Sequence, residues 1–430
     1  MKNKFRLGYG ITGFILLIFL GMIYAWSIFI KPLEMEFGWL RSQTSLIFTI
    51  SMIGFCVGNL AAGQITPKTS PKVSILISAV VIGIGFIASS FTSSLPWIYI
   101  SYGVACGFAV GIGANTILST TLKWFADRQG VASGALLMGF GFGSMVLSPF
   151  VTMLLGSIGW RKTFFVLGII FFVLLFIGAM IVKNPPKEFS DELVEKARKN
   201  KVISHRDFET KEMLHCSSFW IFMAWTVLIG AGSLALISNA VPAASDILIV
   251  SMSEEEAIIA ATAAMGMIST FNGLGRLALG VIWDKKGYRV SLIIISVAYG
   301  ISMAACAIAT MSLQITLLVV GFIILGMTYG GSMSVTSAMV GSFFGTKHYS
   351  INYACASCNL IVAASIGPTL IGRLRTSSGS YLSSFWVILG LSVCALACTF
   401  FIRKPGETDT VQAGSLEGEN SLADDRLLEE

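Results

Sequence analysis

The sequence predicts an all-α membrane protein of twelve transmembrane helices in two pseudo-symmetric six-helix bundles. Three observations carry that prediction. Hydrophobic residues make up 55% of the 430 and charged residues 12%, with a mean hydropathy of +0.79, which no soluble interior of this length requires. Twelve apolar runs each approach the roughly 20 residues that cross about 30 Å of hydrocarbon as a helix. The runs fall six and six about one long polar segment. The expected organisation is a first bundle over 1–183, a cytoplasmic linker over 184–215, a second bundle over 216–403 and an acidic tail over 404–430.

Span one (8–30) follows a basic N-terminus, lacks a convincing cleavage site and precedes eleven further runs, so it reads as a retained helix. Spans two (44–66) and three (73–93) flank "GQITPKTSPK"; span four (96–119) leads into "KWFADRQGVASG" (Lys123–Gly134). Span five (131–156) contains "GFGFGS" (Gly139–Ser144), whose glycines let helices approach closely. That run lies in lipid, not after a strand, so it is no phosphate loop. "GWRKTFF" opens span six (162–182). The linker "KNPPKEFSDELVEKARKNKVISHRDF" reads as solvated, with room for a short amphipathic helix. Spans seven to twelve cover 218–243, 256–282, 290–310, 314–340, 350–372 and 382–402. The tail is polar and acidic, a composition that favours disorder.

With both termini inside, 22 of the 29 Lys and Arg lie on the cytoplasmic face. Six lie opposite (Lys31, Arg41, Arg161, Lys162, Arg373 and Arg375), and Arg276 alone lies within a span. The expected location is the cell (inner) membrane. Basic residues confined to short loops give no nucleic-acid footprint. Seven of the eight cysteines sit in apolar runs as packing residues, Cys355-x-x-Cys358 included. No metal cluster, cofactor motif, paired acids or nucleophile constellation suggests an enzyme. The halves repeat: Gly58, Gly63 and Lys72 match Gly275, Gly280 and Arg289 at an offset of 217. Gly107, Gly111, Phe125 and Pro149 match Gly326, Gly330, Phe344 and Pro368 at 219. Such duplication points to a transporter with its site between the halves.

Arg276 lies eight residues before Asp284, about 12 Å deeper than the membrane boundary. An arginine there costs at least ~2.5–3.5 kcal/mol, so a functional reading is the default. Ser269, Asn272 and Arg276 share one helix face, whereas Gly266, Gly273 and Gly280 recur every seven residues on another. No Asp or Glu lies inside another span; the nearest, among them Glu34, Glu36 and Asp246, lie at outer ends. The guanidinium either snorkels or bonds helix-end carbonyls, or it faces a central cavity and grips a small carboxylate. The second reading is preferred.

"GVIWDKKGYR", with Gly280, Asp284, Gly287 and Arg289, resembles the loop motif of the major facilitator superfamily. Its first-half copy has Pro67 and Ser70 at the acid and second glycine positions. The resemblance implies the major facilitator fold and a gating role for the motif residues, with Arg128 beside them after span four. "FNGLGR", "GMIYAWSIFIKPLEMEFGW" and "DFETKEMLHCSSFWIFMAW" together resemble the oxalate:formate antiporter family. That likeness implies a carboxylate anchor at Arg276 and aromatic cavity walls. Tyr24, Trp26 and Tyr329 are the candidates, with interhelix packing as the alternative, and Asn272 lies beside the anchor. The family's second cation, a lysine in span eleven, is absent; Ser357, Cys358, Asn359 and Leu360 occupy that neighbourhood, and Ser357 and Asn359 are candidate contacts. One fixed cation favours a monocarboxylate, lactate- or formate-like, over oxalate. Monocarboxylate transporters that couple to protons carry an aspartate where Asn272 stands, so anion exchange is expected over proton symport. Oxalate/formate exchange, proton-coupled symport, drug efflux and a non-transporting anion sensor are the alternatives. A monomer in the lipid bilayer is expected, as is common in the superfamily.

Overall fold

The computed structural model describes residues 2–199, 206–250 and 252–405. The predicted acidic tail from 406 onward and linker residues 200–205 lie outside them. Ten helical segments are long and apolar enough to cross a bilayer. Two of these, Ala126–Ile181 and Ile259–Ser312, run 56 and 54 residues, about 80 Å at 1.5 Å per residue and far more than one hydrocarbon core. Each is broken at a glycine outside helical space: Gly159 (φ 74°, ψ 166°) and Gly287 (φ 80°, ψ 177°). A Cβ makes that conformation costly, so glycine is where the chain turns between two spans. Divided there, the described residues form twelve spans.

Span one is longer than the apolar run suggests. It runs through Lys2–Leu20, a tight turn at Gly21–Ala25 and Ser27–Phe37. Spans two, three and four follow as Arg41–Lys68, Pro71–Ser90 and Leu95–Lys123, the last widened to a π-helix over Tyr99–Cys106. Spans five and six share the broken helix Gln129–Ile181. Span seven is Ser217–Leu248, and spans eight and nine share Glu254–Ser312. Span ten is Ile315–Phe344; span eleven is Tyr349–Ser357 continued by Asn359–Ser378; span twelve is Leu382–Phe401.

Six of the eight repeated glycines share one packing cause. A Cβ on Gly58, Gly107 or Gly111 would collide with the backbone of Phe108, Ser51 or Phe55, where spans two and four cross. A Cβ on Gly275, Gly326 or Gly330 would collide with Met327, Ile268 or Asn272, where spans eight and ten cross. The collision partners obey the same two sequence offsets as the glycines. Each half is therefore built on one close crossing in which small residues let backbones touch. Ion pairs brace each half separately at the ends away from the linker: Glu36–Arg161 at 2.8 Å and Asp246–Arg375 at 2.9 Å.

The linker carries an amphipathic helix, Lys187–Lys199, that buries Leu193 and Ala197. Phe189 packs on Trp124 of the first half (centroids 5.7 Å apart). Arg198 pairs with Asp207 at 2.7 Å, and Asp207 Oδ1 accepts from the Thr346 and Lys347 amides of the second half. One strap thus touches both halves.

A cavity closed on the linker side

The heptad-spaced glycines of span eight trace how the halves meet. At the linker end, Gly280 would strike the Gly130 carbonyl of span five if it bore a Cβ. One level deeper, Gly273 lies against the Phe142 ring. At Gly266 nothing approaches within 4 Å. The halves touch at the linker side and diverge beyond Phe142. Spans two and eleven repeat the pattern, since a Cβ on Gly63 would lie 2.6 Å from the Ile351 Cα.

Two polar devices hold this closure. The Gly130 and Val131 amides, in the unpaired first turn of span five, donate to Asp284 Oδ1 and Oδ2 at 2.8 Å each. A carboxylate from one half therefore caps a helix of the other, where orphan N–H groups and the helix dipole favour an anion. Deeper in, Asn115 Nδ2 donates to the carbonyls of Asn59 (2.8 Å) and Ser350 (3.0 Å), and Ser350 Oγ donates back to Asn115 Oδ1 (3.0 Å). Asp284→Asn keeps the shape but replaces two charge-assisted bonds with at most one neutral one. At about 1.5–3 kcal/mol for such bonds, it is expected to shift the closed-to-open ratio toward open by about tenfold or more. Electron–electron distance measurements between spin labels at the exposed Lys72 and Lys285 would show a grown long-distance population.

Above the floor lies a cavity lined by both halves. The first half supplies Leu17, Tyr24, Phe55, Asn59, Asn115 and Phe140 among others; the second supplies Arg276, Met333, Thr336, Tyr353, Ser357 and Asn359. Arg276 is 7% exposed. Its Nε donates to Asn272 Oδ1 (3.1 Å) one turn back, and its Nη1 donates to the Leu137 carbonyl of span five (2.6 Å). No carboxylate pairs with it among the described residues. Gly141 lets the guanidinium lie flat on span five, where a Cβ would come within 2.9 Å of Cζ.

The expected site residues sort clearly. Tyr24, Ser357, Asn359 and Arg276 share the cavity, and Tyr24 stands edge-on to Phe140 at 5.4 Å. Asn272 touches the arginine rather than the wall. Trp26 departs from expectation. Its Nε1 donates to the Thr44 carbonyl at 2.9 Å and its ring packs on Tyr102, so it is a core residue of the first half. Tyr329 is buried and does not line the cavity wall. Arg289 stacks on Tyr288 at the surface, and exposed Arg128 adjoins the Asp284 cap. Sequence reasoning missed Asn59, Asn115, Tyr353 and Gly141. A lone asparagine in an apolar run was the available signal for the first two.

A model of the Major Facilitator Superfamily matches residues 12–315 and 261–424. An uncharacterized MFS-type transporter, YhjX of Escherichia coli (strain K12), is 27% identical over 335 residues, covering 78% of this chain and 79% of its own. The oxalate:formate antiporter of Oxalobacter formigenes is 25% identical over 393 residues (90% and 88%). Monocarboxylate transporter 1 of Homo sapiens is 22% identical over 402 residues (86% and 79%). Among solved structures, the proton:xylose symporter XylE superposes with a TM-score of 0.68 at 14% identity, covering 94% of this chain and 97% of its own. This chain belongs to the Major Facilitator Superfamily: it is a multi-pass membrane transporter, not an enzyme.

Proposed function

We propose that this member of the Major Facilitator Superfamily carries a small monocarboxylate by alternating access, with the carboxylate held on Arg276. One observation carries the reading: a buried guanidinium on the wall between the halves, without an ion-pair partner among the described residues. Asn272 and the Leu137 carbonyl fix the plane of the fork and use two of its five N–H donors. The remaining donors suit the two oxygens of one carboxylate. The names of the antiporter and monocarboxylate relatives favour the same substrate class.

The lining residues include no second base, so a dicarboxylate would carry one uncompensated charge into the cavity. A formate- or lactate-like acid fits better. The lining also includes no Asp, Glu or His to carry a proton, which favours anion exchange over symport. The moving bodies are 1–183 and 216–403, joined by 184–215. The excess of Lys and Arg on the linker side supports a cytoplasmic linker; in an inner-membrane protein so oriented, this conformation is closed inward and open outward. An anion on the remaining donors of Arg276 sits beside the bond from Arg276 to the Leu137 carbonyl of the other half, where its binding can differ between the two conformations, as alternating access needs.

Proteoliposomes preloaded with formate, lactate or oxalate, or left empty, test this reading. Preloading with a monocarboxylate is expected to accelerate uptake of labelled monocarboxylate. Uptake into empty vesicles driven by an inward proton gradient alone would replace exchange with symport, and uptake restricted to oxalate would replace the substrate. Asn272→Asp sharpens the test. Its carboxylate would lie where the Asn272 side chain bonds Arg276 Nε and would compete with the anion for the guanidinium, so exchange by this variant is expected to fall well below wild type at neutral pH.

A further inference from the structure

Span five carries a groove fitted to the arginine of the opposite half. Gly134, Leu137 and Gly141 fall at i, i+3 and i+7, on one face of that helix. A Cβ on Gly134 would lie 2.5 Å from the Arg276 carbonyl oxygen. A Cβ on Gly141 would lie 2.9 Å from Arg276 Cζ, 3.1 Å from Nη1 and 3.2 Å from Nε. Between the two glycines, the Leu137 carbonyl accepts from Nη1 at 2.6 Å. In a helix that carbonyl already serves the amide four residues on. The residue there is Gly141, which has no side chain to cover the second lone pair. Arg276 thus lies along span five from its backbone to its fork. The "GFGFGS" run gains an assignment: Gly139 packs on Phe14 and Gly143 on Gly21, both in span one, whereas Gly141 faces the other half.

We infer that Gly141 is a positioning residue: the groove it opens on span five sets the plane of the Arg276 fork only while the linker side is closed, so the anion binds more tightly in this conformation than in the one open toward the linker. This rests on the carboxylate reading of Arg276. Opening the linker side parts Gly280 from Gly130, and the same movement takes Gly134 and the Leu137 carbonyl away from Arg276. The fork then regains rotational freedom that a bound carboxylate must remove, and binding weakens. An anion that prefers the closed conformation also shifts the population toward it.

Gly141→Ala adds one carbon as the probe. Its Cβ meets the far end of a flexible side chain, not backbone, so the variant is expected to fold with the guanidinium lifted off span five. Gly156→Ala, on the same helix with nothing within 4 Å of its Cβ, is the control. Equilibrium binding of labelled lactate and formate to the purified proteins gives the affinities. Distances between spin labels at Lys72 and Lys285, with and without saturating acid, give the shift. They are measured in the Asp284→Asn background, whose open population leaves room to move. With Gly141 intact, acid is expected to shrink the long-distance population, and Gly156→Ala should match. Gly141→Ala is expected to bind about tenfold or more weakly, the worth of one misaligned charge-assisted bond, and to shift less at its own saturating concentration. Distances unmoved by saturating acid with Gly141 intact, or unchanged affinity in Gly141→Ala, would overturn the inference while leaving the anion on Arg276. If wild type binds neither acid, the carboxylate reading fails and this inference with it. The shift with Gly141 intact decides the matter even if the alanine variant does not fold.

Discussion

Arg276→Gln is expected to lower carboxylate exchange by about a hundredfold or more while the protein still inserts and purifies. The magnitude follows from removing a buried, hydrogen-bonded charge from its partner, which costs about 2–5 kcal/mol. The fold should survive because the guanidinium contributes no ion pair among the described residues, and a glutamine amide can still reach toward the Asn272 and Leu137 oxygens. Arg276→Lys separates charge from geometry. It keeps the cation but loses the planar fork, so weaker but measurable binding is expected, intermediate between wild type and the glutamine variant. Parallel rates and binding in vesicles would show both effects. Equal loss in the two variants would mean that the fork, not the charge, is what the anion requires.

Gly280→Leu is expected to have an effect of similar size by a different route. A side chain at Gly280 meets the Gly130 carbonyl of the opposite half, and backbone cannot move aside while the linker side stays closed. Overpacking of this kind costs about 3 kcal/mol, roughly a hundredfold in the conformational ratio. The variant should fold, rest open toward the linker and transport about a hundredfold more slowly. Spin labels at Lys72 and Lys285 would then report mainly long distances, more so than in Asp284→Asn. Gly330→Leu is the contrast. Its clash with the Asn272 carbonyl lies within one half and persists in every conformation, so the expected outcome is failure to accumulate in the membrane.

Much of this was legible in the sequence, for identifiable reasons. Apolar run length gives the spans because lipid leaves the backbone few alternatives to a helix. The turns at Gly159 and Gly287 and the duplicated glycines follow from residues without a Cβ. Arg276 stood out because a charge at that depth is costly. Contacts between distant segments were not legible: Asp284 meets Gly130 across 154 residues, and no local pattern announces the helix it caps. The aromatic candidates divided because Tyr24 and Trp26, two residues apart, point to different surroundings, one to the cavity and one to Thr44 and Tyr102. Asn59 and Asn115 look alike in sequence, and only the structure separates the amide that bonds across the halves from the one whose oxygen is buried without a partner.

The anion is expected to sit on Arg276. Equilibrium binding of labelled lactate and formate to the purified protein, wild type beside Arg276→Gln, tests it most directly because it requires neither driving force nor conformational cycling. Wild type is expected to show saturable binding, displaced by unlabelled acid, and the variant none at an unchanged melting temperature. Equal binding by the two proteins would contradict it and leave the guanidinium a purely structural bond between Asn272 and Leu137.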